Sequence, residues 1–186
     1  MNRTPAGHDA GPSSTRRESA VLVPVYRDET RAIRLVLMRR ALGGTHGGQL
    51  AFPGGMREET DASARDTALR EAHEEIGLEP GRVTVIADLP VVETRTSNFR
   101  IAPFLARIER PAYWRPAFRE VAEVLEPQIA ALADPAARGH SAESFAIGPV
   151  PMLVPFIRIG DHRLWGATYR IVEPLLPRLL AGEWSV

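Results

Sequence analysis

The sequence predicts an α/β fold, a mixed β-sheet sandwiched by helices, on three observations. Short segments rich in Val, Ile and Leu recur between polar turns, which is the pattern of strands. Ala64, Ala68, Leu69, Ala72 and Ile76 recur at three- and four-residue steps, which gives a helix one apolar face. A second apolar stretch of helical length lies near the end of the sequence, at residues 167–180. The 186 residues suffice for one substantial core and are few for two.

In order along the chain, residues 1–19 are polar and read as a mobile tail before a single domain over residues 20–186. Residues 20–26 and 32–38 read as two strands of a hairpin around the polar turn at 27–31. The Gly-rich segment 43–48 opposes regular structure and leads to a short strand at 49–52, then to a turn at Gly54 and Gly55. A helix is expected over about 61–76, N-capped by Thr60, Asp61 or Ser63 and closed by a left-handed Gly77. Residues 83–93 and 99–109 read as strands flanking a polar turn. Residues 119–126 fit a strand or a helix and are taken as a strand, with a boundary at Pro127. A short helix at 129–133, an exposed loop at 134–144 and a strand at 152–159 follow. Residues 163–165 lead into the last helix, where Pro174 and Pro177 predict kinks.

Composition narrows the function. Acidic and basic residues balance at 23 each, so no general positive field favours a nucleic-acid backbone. Every one of the basic residues is Arg, a side chain suited to bidentate phosphate contacts. With zero Cys there is no disulfide framework, thiolate metal site or cysteine nucleophile. No apolar run approaches the roughly 20 residues of a membrane span, and the first nineteen residues contain no signal-peptide core. These features predict a soluble, cytoplasmic protein that acts on a small molecule, without nucleic-acid or membrane partners and with its oligomeric state open.

The most informative segment runs from Gly54 to Leu78. Glu71, Glu74 and Glu75 stand at i, i+3 and i+4, where helical neighbours have Cβ atoms roughly 5–6 Å apart. Like charges at that spacing repel, and a hard divalent cation such as Mg²⁺, which takes oxygen ligands and completes its shell with phosphates, reverses the sign. The same letters also suit an ordinary solvated helix face. The glycine pair upstream and Gly77 downstream favour the cation-binding reading.

From Arg70 to Leu78 the sequence resembles the Nudix hydrolase box, position by position. The early part departs from it. After five intervening residues from Gly55 stands Asp61 rather than Glu, and eight residues instead of seven separate it from Arg70, so the resemblance transfers no role to Asp61. Further segments resemble the coenzyme A pyrophosphatase branch of that family: His46-Gly47-Gly48 with Phe52-Pro53-Gly54-Gly55, then Ser97-Asn98-Phe99 before Pro103, then Trp165-Gly166-Ala167-Thr168. Gly43 and Gly44 stand where that branch has Leu and a basic residue.

The resemblance implies a Nudix-type α/β/α sandwich over about residues 19–181 and hydrolysis of the diphosphate of coenzyme A to 3′,5′-adenosine bisphosphate and 4′-phosphopantetheine. It implies Mg²⁺ or Mn²⁺ held by Glu71, Glu74 and Glu75, with Arg70 fixing a glutamate by ion pairing. Glu120 is the first choice of general base and Glu123 the second, against a plain solvent-facing role for both. Substrate contacts are assigned to the backbone at Gly54 and Gly55 and to Arg39 and Arg40, chosen from a set that includes Arg95 and Arg100. His46 is read as a phosphate contact or, preferably, a loop organiser; Phe99 and Trp165 either stack on the substrate or pack in the core. One alternative is a Nudix enzyme for ADP-ribose or another nucleoside diphosphate derivative. Another is a non-catalytic nucleotide-sensing module, which is expected to carry an attached DNA-binding domain for which 186 residues leave little room.

Overall fold

Strand β1 (Arg17–Arg27) is the spine of the molecule, because it is paired along both edges and buried on both faces. The computed structural model describes residues 16–43, 46–94, 97–143 and 151–186. Most of the expected N-terminal tail, residues 1–15, and also Gly44 and Arg95, lie outside the described residues. Arg17, Glu18 and Ser19, read as the end of that tail, are instead paired with Phe99, Arg100 and Ile101.

Along one edge β1 runs parallel to β8 (Phe99–Ile108), which in turn pairs antiparallel with β6 (Val83–Asp88) and β7 (Val92–Glu93). The other edge is shared by two short strands placed end to end. β2 (Ile33–Leu35) pairs with Val25 to Arg27, and β5 (Gly54–Met56) pairs with Ser19 to Val21. Between them Val36 donates to the Pro24 carbonyl at 2.9 Å, and Pro24 has no N–H with which to return the bond. The strand expected over 32–38 therefore divides at Val36. Its second part, β3 (Leu37–Arg40), enters another sheet between β4 (Leu50–Ala51) and β9 (Val121–Leu125).

Side-chain alternation sends β1 into two cores. Ala20, Leu22 and Tyr26 join Ala68, Ala72 and Ile76 of helix α1 (Ala64–Ile76) on one face. Val23 and Val25 meet α2 (Ile129–Ala133) and α3 (Gly166–Leu180) on the other. The result is the α/β sandwich with a mixed, curled sheet that the sequence predicts. Helix α3 contains both Pro174 and Pro177, since Ile171, Val172, Leu175, Leu176 and Leu179 are all buried and that face outweighs two missing N–H groups.

Two other expectations are corrected. Residues 134–143 of the expected loop are not irregular: a 3-10 turn, Pro135–Ala137, is followed by β10 (Arg138–Glu143), which pairs with β11 (Met152–Ile159), and Ser144 lies outside the described residues. Every second residue of β10 is exposed, so its sequence is polar although its backbone is laddered. The lead-in to α3 contains β12 (His162–Leu164), paired with β11. No helix among the described residues is long and apolar enough to cross a membrane.

Candidate active site

Helix α1 is fixed at both ends by the residues the sequence marks. Ser63 is the N-cap, its hydroxyl accepting from the Asp66 N–H. Gly77 is left-handed at φ 70°, with Gly77 N donating to the His73 carbonyl and Leu78 N to that of Ala72, which satisfies two carbonyls the helix end would leave unpaired. This sets the rotation of Glu71 and Glu75 toward β5.

Gly54 and Gly55 form an extended strand rather than the expected turn. A Cβ at Gly54 would overlap Val21 and the Ala20 carbonyl of β1, and a Cβ at Gly55 would fall on the Glu71 carboxylate. The pair is therefore glycine so that β5 can lie between β1 and α1. The Gly54 N–H donates to Glu75 Oε2 at 2.8 Å. This corrects the assignment of the glycine backbone to phosphate binding: the Gly54 amide is committed to a carboxylate, and Gly55 makes room for another.

Arg70 organises the acidic side. Its Nε and Nη2 each donate to Asp61 at 3.0 Å, its Nη1 reaches Glu71 and Glu74 at 3.0 Å, and Nη2 also donates to the Met56 carbonyl at 3.2 Å. Asp61 is 6% exposed and accepts further bonds from the Thr67 hydroxyl and the Glu58 N–H, both at 2.9 Å. The Arg70 guanidinium and these donors hold the Asp61 carboxyl well below the usual carboxylate range. Asp61 is thus the anchor of the arginine, a role the sequence pattern gives no license to assign. The signal for it is a Thr and an Arg six and nine residues downstream, aligned on one face of α1.

The three glutamates do not behave alike. Glu75 is 3% exposed; burial pushes its carboxyl up to about 7, the Gly54 amide opposes this, and the charges of Glu71 and Glu120 add to it. Burial also raises Glu71, against the pull of Arg70 and with the charges of Glu74 and Glu120 adding. Glu74 is instead half exposed and turned to Arg70. The expected convergence of all three is corrected to a pair, Glu71 and Glu75, at the glycine strand, and among the described residues no group of three or more His, Asp or Glu stands ready as a metal cage. The pair still suits a hard cation. Its donors are carboxylate oxygens whose repulsion is only partly relieved by protein groups, and Glu74 is one side-chain rotation away on the same helix.

The remaining candidates divide. Glu120 stands in the turn before β9, and its charge reaches both Glu71 and Glu75. Arg40 turns its charge on Glu75. Arg39 points elsewhere: it pairs with Glu123 at 2.6 Å across the β3–β9 ladder, and Glu123 also meets His162 at 3.0 Å. Both Arg39, as a phosphate contact, and Glu123, as the second choice of base, are therefore occupied by an ion-paired cluster. His46 is exposed, and its backbone carbonyl accepts from Gln49 N at 3.3 Å, a bond that does not involve the imidazole. Phe99 lies under the Arg17 guanidinium, 4.1 Å from the ring centroid, at the N-terminal end of β1 and on the edge opposite β5. Thr168 donates to the Leu50 carbonyl at 3.2 Å and so ties α3 to the strand that precedes the glycines.

Comparison with known proteins agrees with this architecture. The NUDIX domain family matches residues 16–140. The chain is 35% identical over 159 residues to a protein of Citrobacter koseri named uncharacterized Nudix hydrolase NudL, covering 86% of this chain and 76% of that protein. A NudL of Salmonella paratyphi B is 36% identical over 155 residues, covering 83% and 73%. Among solved structures, the M. smegmatis Nudix hydrolase RenU superposes with a TM-score of 0.63 at 20% identity, over 92% of this chain and 89% of that one. A MutT protein of Methanosarcina mazei gives 0.56 at 16% identity, over 90% and 99%. Given the family match over more than half its length and these relatives, the chain belongs to the Nudix family.

Proposed function

We propose that the protein hydrolyses the diphosphate of coenzyme A, releasing 3′,5′-adenosine bisphosphate and 4′-phosphopantetheine. The coarser statement, a Nudix hydrolase acting on a nucleoside diphosphate derivative, rests on the family and on the acidic helix from Arg70 to Glu75. The single observation that carries the chemistry is the pair of part-buried Glu71 and buried Glu75 facing Gly54 and Gly55, with the charge of Glu120 directed at both. The coenzyme A assignment is supported by the segment from His46 to Gly55 and by Trp165 to Thr168.

In this reading Glu71 and Glu75, with Glu74 on the same helix, would hold Mg²⁺ or Mn²⁺ through carboxylate oxygens. When bound, such an ion neutralises charge on the diphosphate and lowers the pKa of a coordinated water. Arg70, braced by Asp61, keeps Glu71 at the glycine strand. The Gly54 amide does the same for Glu75. Glu120 takes the proton of the attacking water as its oxygen bonds to phosphorus and the bridging P–O bond breaks. Arg40 offers its guanidinium to a phosphate, the task for which Arg39 is engaged elsewhere. No covalent intermediate is needed. The reaction is placed in the cytoplasm, with which a chain holding zero Cys is compatible.

Turnover of coenzyme A, 3′-dephospho-coenzyme A and ADP-ribose, compared with Mg²⁺ and with Mn²⁺, tests the reading. The expected order puts coenzyme A first. Faster cleavage of ADP-ribose would move the protein to the alternative substrate class, and loss of all three activities with nucleotide binding retained would make it a sensor.

A further inference from the structure

The turn that presents Glu120 also presents a large apolar side chain to water. Phe118 is 87% exposed and Leu42 86%, the highest values among the large hydrophobic residues described. A lone exposed hydrophobe needs no explanation, but the backbone places both of these next to residues of the site, Leu42 two positions after Arg40 and Phe118 two before Glu120. Ala41 N donates to the Glu120 carbonyl at 2.8 Å, which extends the β3–β9 ladder one step beyond the Arg40–Val121 pair. Leu42 and Phe118 therefore leave the same end of that ladder. Ala117 N donates to the Glu75 carbonyl at 2.9 Å and Arg115 N to that of Ile76 at 3.1 Å, which fixes the turn against the end of α1. On one side of this junction Arg40 and the glutamates gather charge; Leu42 and Phe118 contribute none.

We infer that Leu42 and Phe118 form an apolar lip that receives the uncharged, amide-linked aliphatic arm of the substrate and select against a sugar or second nucleoside in that place. The inference rests on the coenzyme A reading and names the residues that read its non-nucleotide half. Apolar burial is non-directional and scales with the area covered, so it suits a flexible chain with methylene and methyl groups. A ribose laid on the same lip would lose hydrogen bonds to water without replacement.

The test uses the full chain carrying Leu42→Ala with Phe118→Ala, and separately Phe118→Leu, with Mg²⁺ present. Inhibition of coenzyme A hydrolysis by 4′-phosphopantetheine and by adenosine 3′,5′-bisphosphate is measured, with thermal melting as a check on folding. The double variant is expected to weaken inhibition by 4′-phosphopantetheine about tenfold and leave inhibition by the adenosine bisphosphate at the wild-type value, while Phe118→Leu keeps both. Equal weakening of both inhibitors, or no change in either, overturns the inference. So does a wild-type dimer that the double variant dissociates on sedimentation, because the lip would then be a contact between copies. Absence of coenzyme A turnover by the wild type removes the underlying reading instead, and is seen before any variant is made.

Discussion

Asp61 and Glu75 are almost equally withdrawn from water, at 6% and 3% exposure, yet one is driven to stay ionised and the other to take up a proton. The difference lies in their partners. Asp61 receives two bonds from the Arg70 fork, one from Thr67 and one from the Glu58 amide. Glu75 receives one, from the Gly54 amide, and faces the like charge of Glu71. Burial alone therefore does not decide the state of a carboxylate; compensation does. The first arrangement is complete within the protein and serves as an anchor. The second leaves charge uncompensated, which is what a cation-binding position requires.

The contrast is broken most severely at Glu75. Glu75→Gln should lower turnover by on the order of a thousandfold in steady-state assays with Mg²⁺. A rate near wild type would end the metal assignment. Next comes Glu120→Gln, expected to cost roughly a hundredfold in kcat with metal affinity little changed if Glu120 is the base. Equal losses of rate and of Mn²⁺ binding would make it a ligand. Asp61→Asn weakens the charge-assisted bonds of the Arg70 fork while leaving Glu71 and Glu74 as its partners, and should cost about 2 kcal/mol on urea unfolding. A loss below about 1 kcal/mol, the ceiling for exposed pairs, would show that the anchor is not buried in solution. Gly55→Ala places a methyl on the Glu71 carboxylate and is expected to reduce turnover about tenfold through misplacement of that ligand.

The mildest test is pH. With metal chelated, Glu75 binds a proton more tightly folded than unfolded, so its contribution favours the fold at low pH. That contribution is lost as pH rises from about 4.3, the unfolded value, through about 7. Asp61 has the opposite sign: its contribution is present above about 3.9 and is lost as pH falls through its lower folded value. Melting of the chelated protein should therefore decline by a few degrees between pH 5 and about 7, and Glu75→Gln should flatten that slope. A slope unchanged by the substitution would assign it to other groups.

What could be read from the sequence was what depends on neighbours in the chain. Ser63, one of three cap candidates, Gly77 and the Ala–Leu–Ile spacing bound α1, while Ile129–Ala133 and Met152–Ile159 were legible from a weaker signal. The acidic helix was legible for the same reason. The division of labour within it was not, because whether Glu74 or Glu75 meets the Gly54 amide depends on how β5 crosses α1. Arg39 looked like a phosphate reader until folding set Glu123 across from it, 84 residues away in sequence. Residues 138–143 looked like a loop because half their side chains face water, which hides a ladder whose partner lies further along the chain.

The backbone bonds from Arg115 and Ala117 to the last turn of α1 have a mechanical consequence. They splice the segment bearing Glu120 onto the helix bearing Glu71 and Glu75, so the proposed proton acceptor and the proposed cation ligands ride in one frame. Thermal breathing that carries the helix carries the acceptor with it. The placing of Glu120 against Glu71 and Glu75 is thus a property of the resting architecture, and only the Glu74 side chain, held by Arg70, is left to move.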